Sequence, residues 1–368
     1  MHLAVISSLD ALCRRQACEI LAEAFPHAVV VVHDLLDDGR AVRRTFRRGS
    51  PAERVETTLE HGCPSCAVRL DLAPALGRLA ADGEEHVVLG LPAGVPASTA
   101  IQALEHHLDQ PPTVDSAVLA CSPAAVEDQL WDGQTLAETG LTTAAGDDRT
   151  PGEFLVGELA FNDTVLAADP DPVPVSAPER LRGIQLLREL APHADVVEHG
   201  AGIRRGGHHR GEALRRSTPG RPAPEPHSTP ASPFTTVVHR VDRPLHPERF
   251  HRALSVLAQG CCRLSGQVWL AVAPEYRFVL QGIGPRVWLQ NTGPWPAEDR
   301  ADLLAAEGGA EPLVPDGPGD HATVLTATGE DLDPAEMARL LASCRLTQAE
   351  LAAGITGLTD PFGIGAAH

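Results

Sequence analysis

The sequence contains no lysine, so all 30 of its basic residues are arginine. A phosphate-binding P-loop needs a lysine, as do Schiff-base enzymes and the guanine-reading motif Asn-Lys-x-Asp. Arginine is not an equivalent phosphate ligand in a tight loop, because its guanidinium is planar and larger than an ammonium. The absence of lysine therefore excludes the ordinary form of all three mechanisms.

Long hydrophobic runs are absent too. No stretch of about 18 apolar residues occurs, and the first residues lack the basic-then-apolar order of a secretory signal. The 8 cysteines are too sparse for the disulfide framework of a small secreted domain. We expect a cytoplasmic protein with reduced thiols and no membrane association.

Net charge argues against general nucleic-acid binding, because a formal charge of -19 repels phosphates. A local exception is a basic cluster with only Glu212 opposing it. This cluster could contact RNA or an acidic protein, and a solubilising linker explains it equally well. Its members are Arg204, Arg205, Arg210, Arg215, Arg216 and Arg221.

The first 200 residues alternate short apolar runs with helical patterns. Such strands, buried on both faces, are typical of a parallel sheet covered by helices. We predict a doubly wound, mostly parallel α/β domain over residues 1–200. The runs are LAVIS, AVVVVHD, HVVLGL, SAVLACS and DTVLAAD, and the helices are predicted at 11–24, 71–81, 98–107 and 178–190.

Residues 201–233 are rich in Gly, Pro, Ser and Arg, which is typical of a linker. Beyond it, FTTVVHRVD, QVWLAVAP, YRFVLQGIG, RVWLQNT and ATVLTATG read as strands, and HPERFHRALSVL and DPAEMARLLASC read as helices. This order predicts a smaller α+β domain with an antiparallel sheet over 234–358, followed by a tail at 359–368.

The turn after the first strand stands where a P-loop would hold phosphates, which takes two glycines, a lysine and a Ser or Thr for Mg²⁺. The corresponding residues here are Ser8, Cys13, Arg14 and Arg15. The later strand HVVLGLPAG ends without an acidic residue for the metal. We therefore expect no GTP or Mg²⁺ binding, and no catalytic residue is assigned.

The motif HGCPSC contains a CxxC that precedes a predicted helix. A helix N-terminus favours the thiolate form of cysteine, which binds Zn²⁺. We predict a zinc site at Cys63 and Cys66 with His61 as the nearest third ligand, His33 or His86 being alternatives. Idle buried thiols and a redox CxxC remain open, because four ligands normally complete a structural zinc site.

Two other groups of residues are weaker candidates for metal binding. Cys261 and Cys262 are adjacent, so on a strand they point to opposite faces and are expected in the core. His208 and His209 lie among glycines in the predicted linker, where a solvated polar loop is favoured over a loose metal site.

Together these pieces resemble the CobW-like family of metal-trafficking GTPases over nearly the whole chain. The family's GCxCC metal motif corresponds to residues 62–66, where its middle cysteine is Ser65. Its guanine motif falls at Leu166 to Asp169, where Asn and Lys are missing. The C-terminal half is similar to the family's own C-terminal domain through RPLHPERFHRAL, RLSGQVWLA and DPAEMARLLASCRLTQAEL.

Within the family, GCPSC, WDGQTLAETG, GELAFNDTVL and the terminal DPFG resemble the actinobacterial branch that recruits a hibernation factor to the ribosome under zinc limitation. The resemblance implies a non-catalytic, zinc-responsive adaptor with the ribosome and a hibernation factor as partners. A GTP-dependent zinc metallochaperone, which would be a GTP hydrolase, and a CxxC thiol redox protein are the alternatives.

Overall fold

The computed structural model describes residues 1–36, 38–48, 50, 52–59, 64–144, 146–170, 174–220, 232–295, 321–353 and 357–364. The chain divides into two compact units. One is built mainly on Met1–Thr218, and the other mainly on Thr235–Gly282 and Arg286–His368. In the part described, no helix is long and apolar enough to span a bilayer.

The first unit alternates strands and helices. Its strands are β1 (His2–Ser7), β2 (Val29–Leu35), β3 (Arg40–Phe46), β4 (Glu53–Thr58), β5 (His86–Gly90), β6 (Thr113–Cys121), β7 (Thr164–Ala167) and β8 (Asp195–Val197). Its helices are α1 (Ala11–Ala24), α2 (Pro64–Ala67), a π-helix (Val68–Leu72), α3 (Ala73–Ala81), α4 (Ala97–His107), α5 (Pro123–Trp131), α6 (Pro151–Phe161), α7 (Ala177–Leu190) and α8 (Arg210–Arg216).

The strands form one sheet in the order β4-β3-β2-β5-β1-β6-β7-β8. Neighbouring strands in the run β2-β5-β1-β6-β7-β8 pair in parallel. Strands β3 and β4 extend the sheet beyond β2 and pair antiparallel. The predicted mostly parallel fold is confirmed. The β3–β4 extension was not predicted.

Alternation along β1 explains the two covered faces. Leu3 and Val5 join one core cluster with helices α3 and α4, and Ala4 and Ile6 join a second cluster with α1. Successive side chains of a strand point to opposite faces, so a strand that is apolar at every position needs helices on both sides. This arrangement places the carboxyl ends of the parallel strands at one open edge.

Helix α7 buries only some of its apolar side chains. Leu181 is 57% exposed, whereas Ile184 and Leu187 are buried. The helix approaches α5 at Gly183, where an added Cβ would lie 1.8 Å from the Pro123 carbonyl oxygen. The absence of a side chain at Gly183 therefore lets the two helices pack at backbone distance.

Part of the expected linker is folded. Within residues 201–233, helix α8 forms, and both Ala213 and His208 are buried against the first unit. Residues 221–231 lie outside the described part of the chain. The helix was not predicted because this stretch has few apolar residues. Helix α8 is attached mainly by polar contacts, which give no apolar periodicity.

The second unit has a five-stranded sheet in the order β12-β11-β10-β13-β9. Its elements are β9 (Phe234–Val241), α9 (Pro247–Leu257), β10 (Cys261–Val268), β11 (Tyr276–Ile283), β12 (Arg286–Pro294), β13 (Thr323–Glu330), α10 (Pro334–Cys344) and α11 (Gln348–Ala353). Strands β10 and β13 pair antiparallel. The predicted α+β class is confirmed.

Two details of the second unit differ from expectation. Strand β10 is CCRLSGQV and ends at Val268, so QVWLAVAP lies mostly beyond it. Phe362 and Ile364, expected in a tail, pack against the core of this unit. As predicted, Cys261 and Cys262 are core residues, being 2% and 3% exposed.

Candidate functional site at the carboxyl edge of the parallel sheet

The turn from β1 into α1 is closed by its own side chains. The Asp10 carboxylate accepts a hydrogen bond from the Leu12 amide at 2.6 Å and caps the helix. The Ser8 hydroxyl accepts from the Asp10 amide at 3.0 Å. A negative carboxylate thus occupies the helix N-terminus, which is where a P-loop would bind a phosphate.

Arg14 fills the space next to this turn. One of its terminal nitrogens, Nη1, donates to the Leu91 carbonyl at 2.8 Å and to the His33 carbonyl at 3.2 Å. The other, Nη2, pairs with the Asp34 carboxylate, and the Arg14 side chain is only 4% exposed. Arg14 therefore links α1 to the carboxyl ends of β2 and β5. Its neighbour Arg15 points outward and pairs with Glu19.

The loop after β5 is held from two directions. Arg14 binds the Leu91 carbonyl, and the Gly94 amide donates to the Ser8 carbonyl at 3.1 Å. From the other side, Arg149 donates to the Gly94 carbonyl at 3.0 Å. Gly94 has a φ of +73°, a left-handed conformation that favours glycine. These contacts fix the loop without any ligand.

Asp169, which the sequence resemblance aligned with the guanine motif, is paired within the chain. Its carboxylate pairs with Arg180, which in turn contacts Glu198 at 3.0 Å.

Three buried thiols lie near this edge. Burial raises the pKa of Cys18 and of Cys121 to about 12, and burial together with the charge of Asp10 raises the pKa of Cys13 still further. A protonated thiol is a poor metal ligand and a poor nucleophile. Cys13, Cys18 and Cys121 are therefore core residues.

A buried polar network lies beside Arg14 and centres on Asp71 of the π-helix. The Asp71 carboxylate accepts from Thr57 Oγ1 at 2.7 Å, from Arg43 Nη1 at 3.1 Å and from His33 Nε2 at 3.1 Å. These partners lie on β4, β3 and β2, so one side chain ties the π-helix to three strands. We name this group the Asp71 network.

Burial of the Asp71 carboxyl raises its pKa, but hydrogen bonds from His33 and Thr57 and the charge of Arg43 outweigh that effect. The net result is a pKa below the ordinary range, so Asp71 is ionised. Because the carboxylate accepts, the His33 proton resides on Nε2. Among the described residues, no partner contacts the buried His33 Nδ1.

Cys66 is half-buried at the start of the same helical segment and is followed directly by the π turn. π turns concentrate at functional sites because the extra residue re-aims the side chains that follow. The other two predicted zinc ligands, His61 and Cys63, lie outside the described residues. No group of three described His, Cys, Asp or Glu side chains could hold a metal.

The alternative ligands differ in position. His33 lies near the carboxyl end of β2, on the same network that holds the Cys66 helix. A histidine backed by a carboxylate through one nitrogen, with the other unpartnered, is the arrangement that metal-binding histidines adopt. His86 begins β5 and stacks beside His2 with ring centroids 5.3 Å apart, at the opposite edge of the sheet. The chemistry of Cys66 and His33 fits zinc.

A second carboxylate network, partly buried, was missed from the sequence. Asp163, just before β7, pairs with His208 Nδ1 and with Arg216 Nη2 at 2.6 Å. Burial raises the pKa of Asp163, but His208 and Arg216 outweigh it and the pKa is lowered. This Asp163 network attaches α8 to the sheet. It replaces the solvated loop that was expected at His208.

The arginine cluster is largely paired within the chain. Arg204 contacts Asp195 at 3.3 Å, Arg210 contacts Glu105 at 2.8 Å, and Arg205 stacks over the Phe25 ring at 4.0 Å. Arg221 lies outside the described residues. These ion pairs reduce the positive charge available to an RNA partner.

Comparisons with known proteins complete the description. Residues 234–345 match the family model described as the cobalamin synthesis protein cobW C-terminal domain. The chain is 29% identical over 363 residues to the zinc chaperone Rv0106 of Mycobacterium tuberculosis, covering 91% of this chain and 86% of that protein. The same values hold for the uncharacterized protein Mb0109 of Mycobacterium bovis.

Among solved structures, the Zn(II)-bound YjiA GTPase from E. coli matches 94% of this chain and 99% of its own. The sequence identity is 14% and the TM-score is 0.36.

Proposed function

We propose that this chain, whose residues 234–345 match the cobW C-terminal domain, is a CobW-like zinc-handling protein that works without a nucleotide cycle. In this proposal Zn²⁺ is cargo or signal, bound by Cys66 and Cys63 with His61 or His33 as a further ligand. In this proposal the chain does not hydrolyse GTP. The name of its mycobacterial relative, a zinc chaperone, supports the metal.

The observation that carries the proposal is the contrast between two parts of one sheet edge. Cys66 remains half-buried at the start of a helix, whereas Asp10, Arg14 and Asp169 are each engaged by contacts within the chain. A phosphate entering at Asp10 would meet a carboxylate, and like charges this close repel strongly. The zinc chemistry is thus supported where nucleotide chemistry is opposed.

Zinc content of the purified full chain tests the metal. We expect Cys66→Ser and Cys63→Ser to lose zinc, because each removes one thiolate. Cys344→Ala is the matched control, since Cys344 is a buried thiol of the second unit. Equal zinc in wild type and both serine variants would overturn the proposal. A reversible Cys63–Cys66 disulfide with no zinc would favour the redox alternative.

Calorimetric titration with GTP and Mg²⁺ tests the nucleotide. We expect no binding heat and no phosphate release. Tight binding with turnover would instead establish the GTP-dependent metallochaperone.

A second candidate role is the adaptor that recruits a hibernation factor to the ribosome. The motif WDGQTLAETG, which carries that resemblance, forms a surface segment in which Trp131 is 41% exposed and Glu138 accepts hydrogen bonds from the Thr135 amide and hydroxyl. An exposed tryptophan is a common anchor of protein interfaces.

Ribosome co-sedimentation under zinc limitation tests this role. The adaptor predicts the chain in the ribosomal fraction and its loss on Trp131→Ala, with the exposed Leu181→Ala as control. Absence of the wild-type chain from that fraction would contradict the adaptor and leave the zinc proposal intact.

A further inference from the structure

The segment 204–216, which we name the arginine strap, lies along the amino edge of the parallel sheet. Its inner contacts are partly or fully buried. Arg216 and His208 both pair with Asp163, just before β7, and the Ala213 side chain lies in the core of the first unit. These inner contacts attach the strap to the fold.

The outer arginines of the strap are held differently. Arg204 pairs with Asp195 at the start of β8, at 3.3 Å, and Arg210 pairs with Glu105 of α4 at 2.8 Å. Both arginines are exposed. Ion pairs of exposed arginines contribute little stability, because water solvates the separated charges almost as well. An incoming anion can therefore replace either carboxylate while the inner contacts keep the strap in place.

A small groove lies beside the strap at the same edge of the sheet. Its lining includes His2, Phe25, His86, Asp115 and Arg205. The exposed Arg205 guanidinium stacks over the Phe25 ring at 4.0 Å, and the His2 and His86 rings lie 5.3 Å apart. Aromatic rings and guanidinium planes are the surfaces on which the bases of single-stranded nucleic acids stack.

The strap and the groove together indicate the class of ligand. A row of arginines attracts any polyanion, an acidic protein included, but stacked rings complement a polyanion that also carries planar bases. The formal charge of the chain, -19, opposes such a ligand, and so do the carboxylates that already pair with the strap. Affinity is therefore expected to be low until those arginines are released.

We propose that the arginine strap and this groove form an autoinhibited surface for single-stranded RNA, in which Asp195 and Glu105 occupy the outer arginines until phosphates replace them. The inner contacts at Asp163 keep the surface in shape, and the two outer ion pairs set its affinity. This inference goes beyond the zinc proposal and does not depend on it.

Fluorescence anisotropy of the full chain with a labelled oligouridylate of about 12 nucleotides tests the surface. The double variant Asp195→Asn with Glu105→Gln, which we name the released variant, keeps both side-chain shapes and removes both competing charges. We expect it to bind RNA about tenfold more tightly than the wild type, because two more phosphates are contacted. The plot of log Kd against log salt should steepen by about 1.4 for the same reason.

Two further variants locate the effect in the strap and the groove. Adding Arg204→Gln and Arg210→Gln to the released variant is expected to return the affinity to about the wild-type value, since the freed guanidiniums are gone. Adding Arg205→Gln instead is expected to weaken binding by about fivefold or more, because it removes a stacking surface.

A charge-matched control separates release of the strap from the loss of negative charge in general. Asp38→Asn with Glu56→Gln also removes one Asp and one Glu charge and releases Arg40, at the opposite end of the strand order from β8. RNA affinity of this control is expected to stay within about twofold of the wild type at physiological salt, which screens distant charges. Circular dichroism confirms that every variant compared is folded.

Each outcome decides for or against the inference. Equal RNA affinity in the wild type and the released variant would overturn it, as would the absence of RNA binding in the released variant. A gain in the charge-matched control as large as in the released variant would overturn it too, because the effect would then follow net charge. A parallel titration uses polyglutamate, and binding of that peptide without binding of RNA would show that the partner is an acidic protein instead.

Discussion

The first unit contains two aspartates, Asp71 and Asp163, whose carboxylates each pair with a histidine and an arginine. At the carboxyl edge of the sheet, Asp71 accepts from a histidine and an arginine, and at the amino edge, near the start of β7, Asp163 does the same. In both places hydrogen bonds and a nearby arginine keep the carboxylate ionised despite burial. The two networks differ in what they hold.

The Asp163 network attaches a short helix, α8, to the outside of the fold. The Asp71 network attaches the helical segment that starts at the CxxC motif, at the edge where open α/β sheets bind their ligands. The comparison shows that the residue types and hydrogen bonds of a carboxylate network do not by themselves indicate its role. Its place on the sheet and the segment that it holds decide the role.

The largest expected effect is at the Asp71 network. Asp71→Ala leaves Arg43, which is 5% exposed, without its carboxylate, and this costs about 3–5 kcal/mol of unfolding free energy. Asp163→Ala is expected to cost less, because Arg216 is only partly buried and still pairs with Glu212 at 3.4 Å. Urea denaturation of the full chain measures this loss. A cost below about 1 kcal/mol at either site, the value typical of exposed pairs, would mean that this network is effectively solvated.

Lowering the pH is expected to destabilise the two edges of the sheet in different pH ranges. Burial and the charge of Arg216 lower the pKa of His193, beside the Asp163 network, to about 4. The unfolded chain therefore binds a proton between pH 6.5 and 4 that the folded chain refuses, and about 3 kcal/mol of stability is lost as pH falls through that window. The stability contributed by Asp71, whose pKa is lowered, is lost only at still lower pH.

Unfolding free energies at pH 7 and pH 4.5 test this expectation. His193→Asn is expected to abolish most of the difference between the two values. Hydrogen exchange should report earlier loosening at α8 than at α3. The reverse order of loosening would contradict the assignment of acid sensitivity to the amino edge.

A smaller effect is expected at the cap of α1. Asp10→Ala removes the carboxylate that accepts from the Leu12 amide and is expected to cost about 1 kcal/mol. It also exposes the helix N-terminus, so weak binding of inorganic phosphate should appear by calorimetry. Asp10→Asn keeps the cap without its charge and serves as the control for stability. Unchanged stability in Asp10→Ala would show that the cap contributes nothing.

The smallest effect is expected for the arginine beside the network. Arg15→Gln removes an exposed contact with Glu19 and should leave the unfolding midpoint unchanged, whereas Arg14→Gln should lower it clearly. A similar shift of the unfolding midpoint in both variants would mean that the buried contacts of Arg14 do not contribute to stability.

Sequence patterns predicted the strands that are apolar throughout. Helix α1 was predicted at its observed bounds, Ala11–Ala24, and the structure shows that Asp10 caps it there. Strands β3 and β4 were missed because they are rich in arginine, threonine and glutamate and lie at the edge of the sheet. The Asp38-Gly39 pair in the turn between β2 and β3, with Gly39 at a φ of +78°, was the available signal for the hairpin that these two strands form.

The candidate site was only partly predictable for the same reason. The CxxC motif is visible in the sequence, but the network that anchors its helix depends on Arg43 and Thr57 of the missed strands. His208 was assigned to a loop because its neighbours are glycines, and no local pattern reveals that it meets Asp163, which lies far earlier in the chain. Polar pairs between residues that are far apart in the chain depend on the topology of the fold. They produce no periodic pattern in the sequence.

The π-helix Val68–Leu72 follows Cys66 and contains Asp71, so the length of this segment sets how Cys66 is oriented relative to the Asp71 network. Deleting one residue there would restore ordinary α geometry and rotate Cys66 about the helix axis by roughly 100° relative to the sheet. Substitutions around the motif are therefore easier to tolerate than insertions or deletions. The number of residues in this short stretch therefore determines the direction of the Cys66 side chain relative to the sheet.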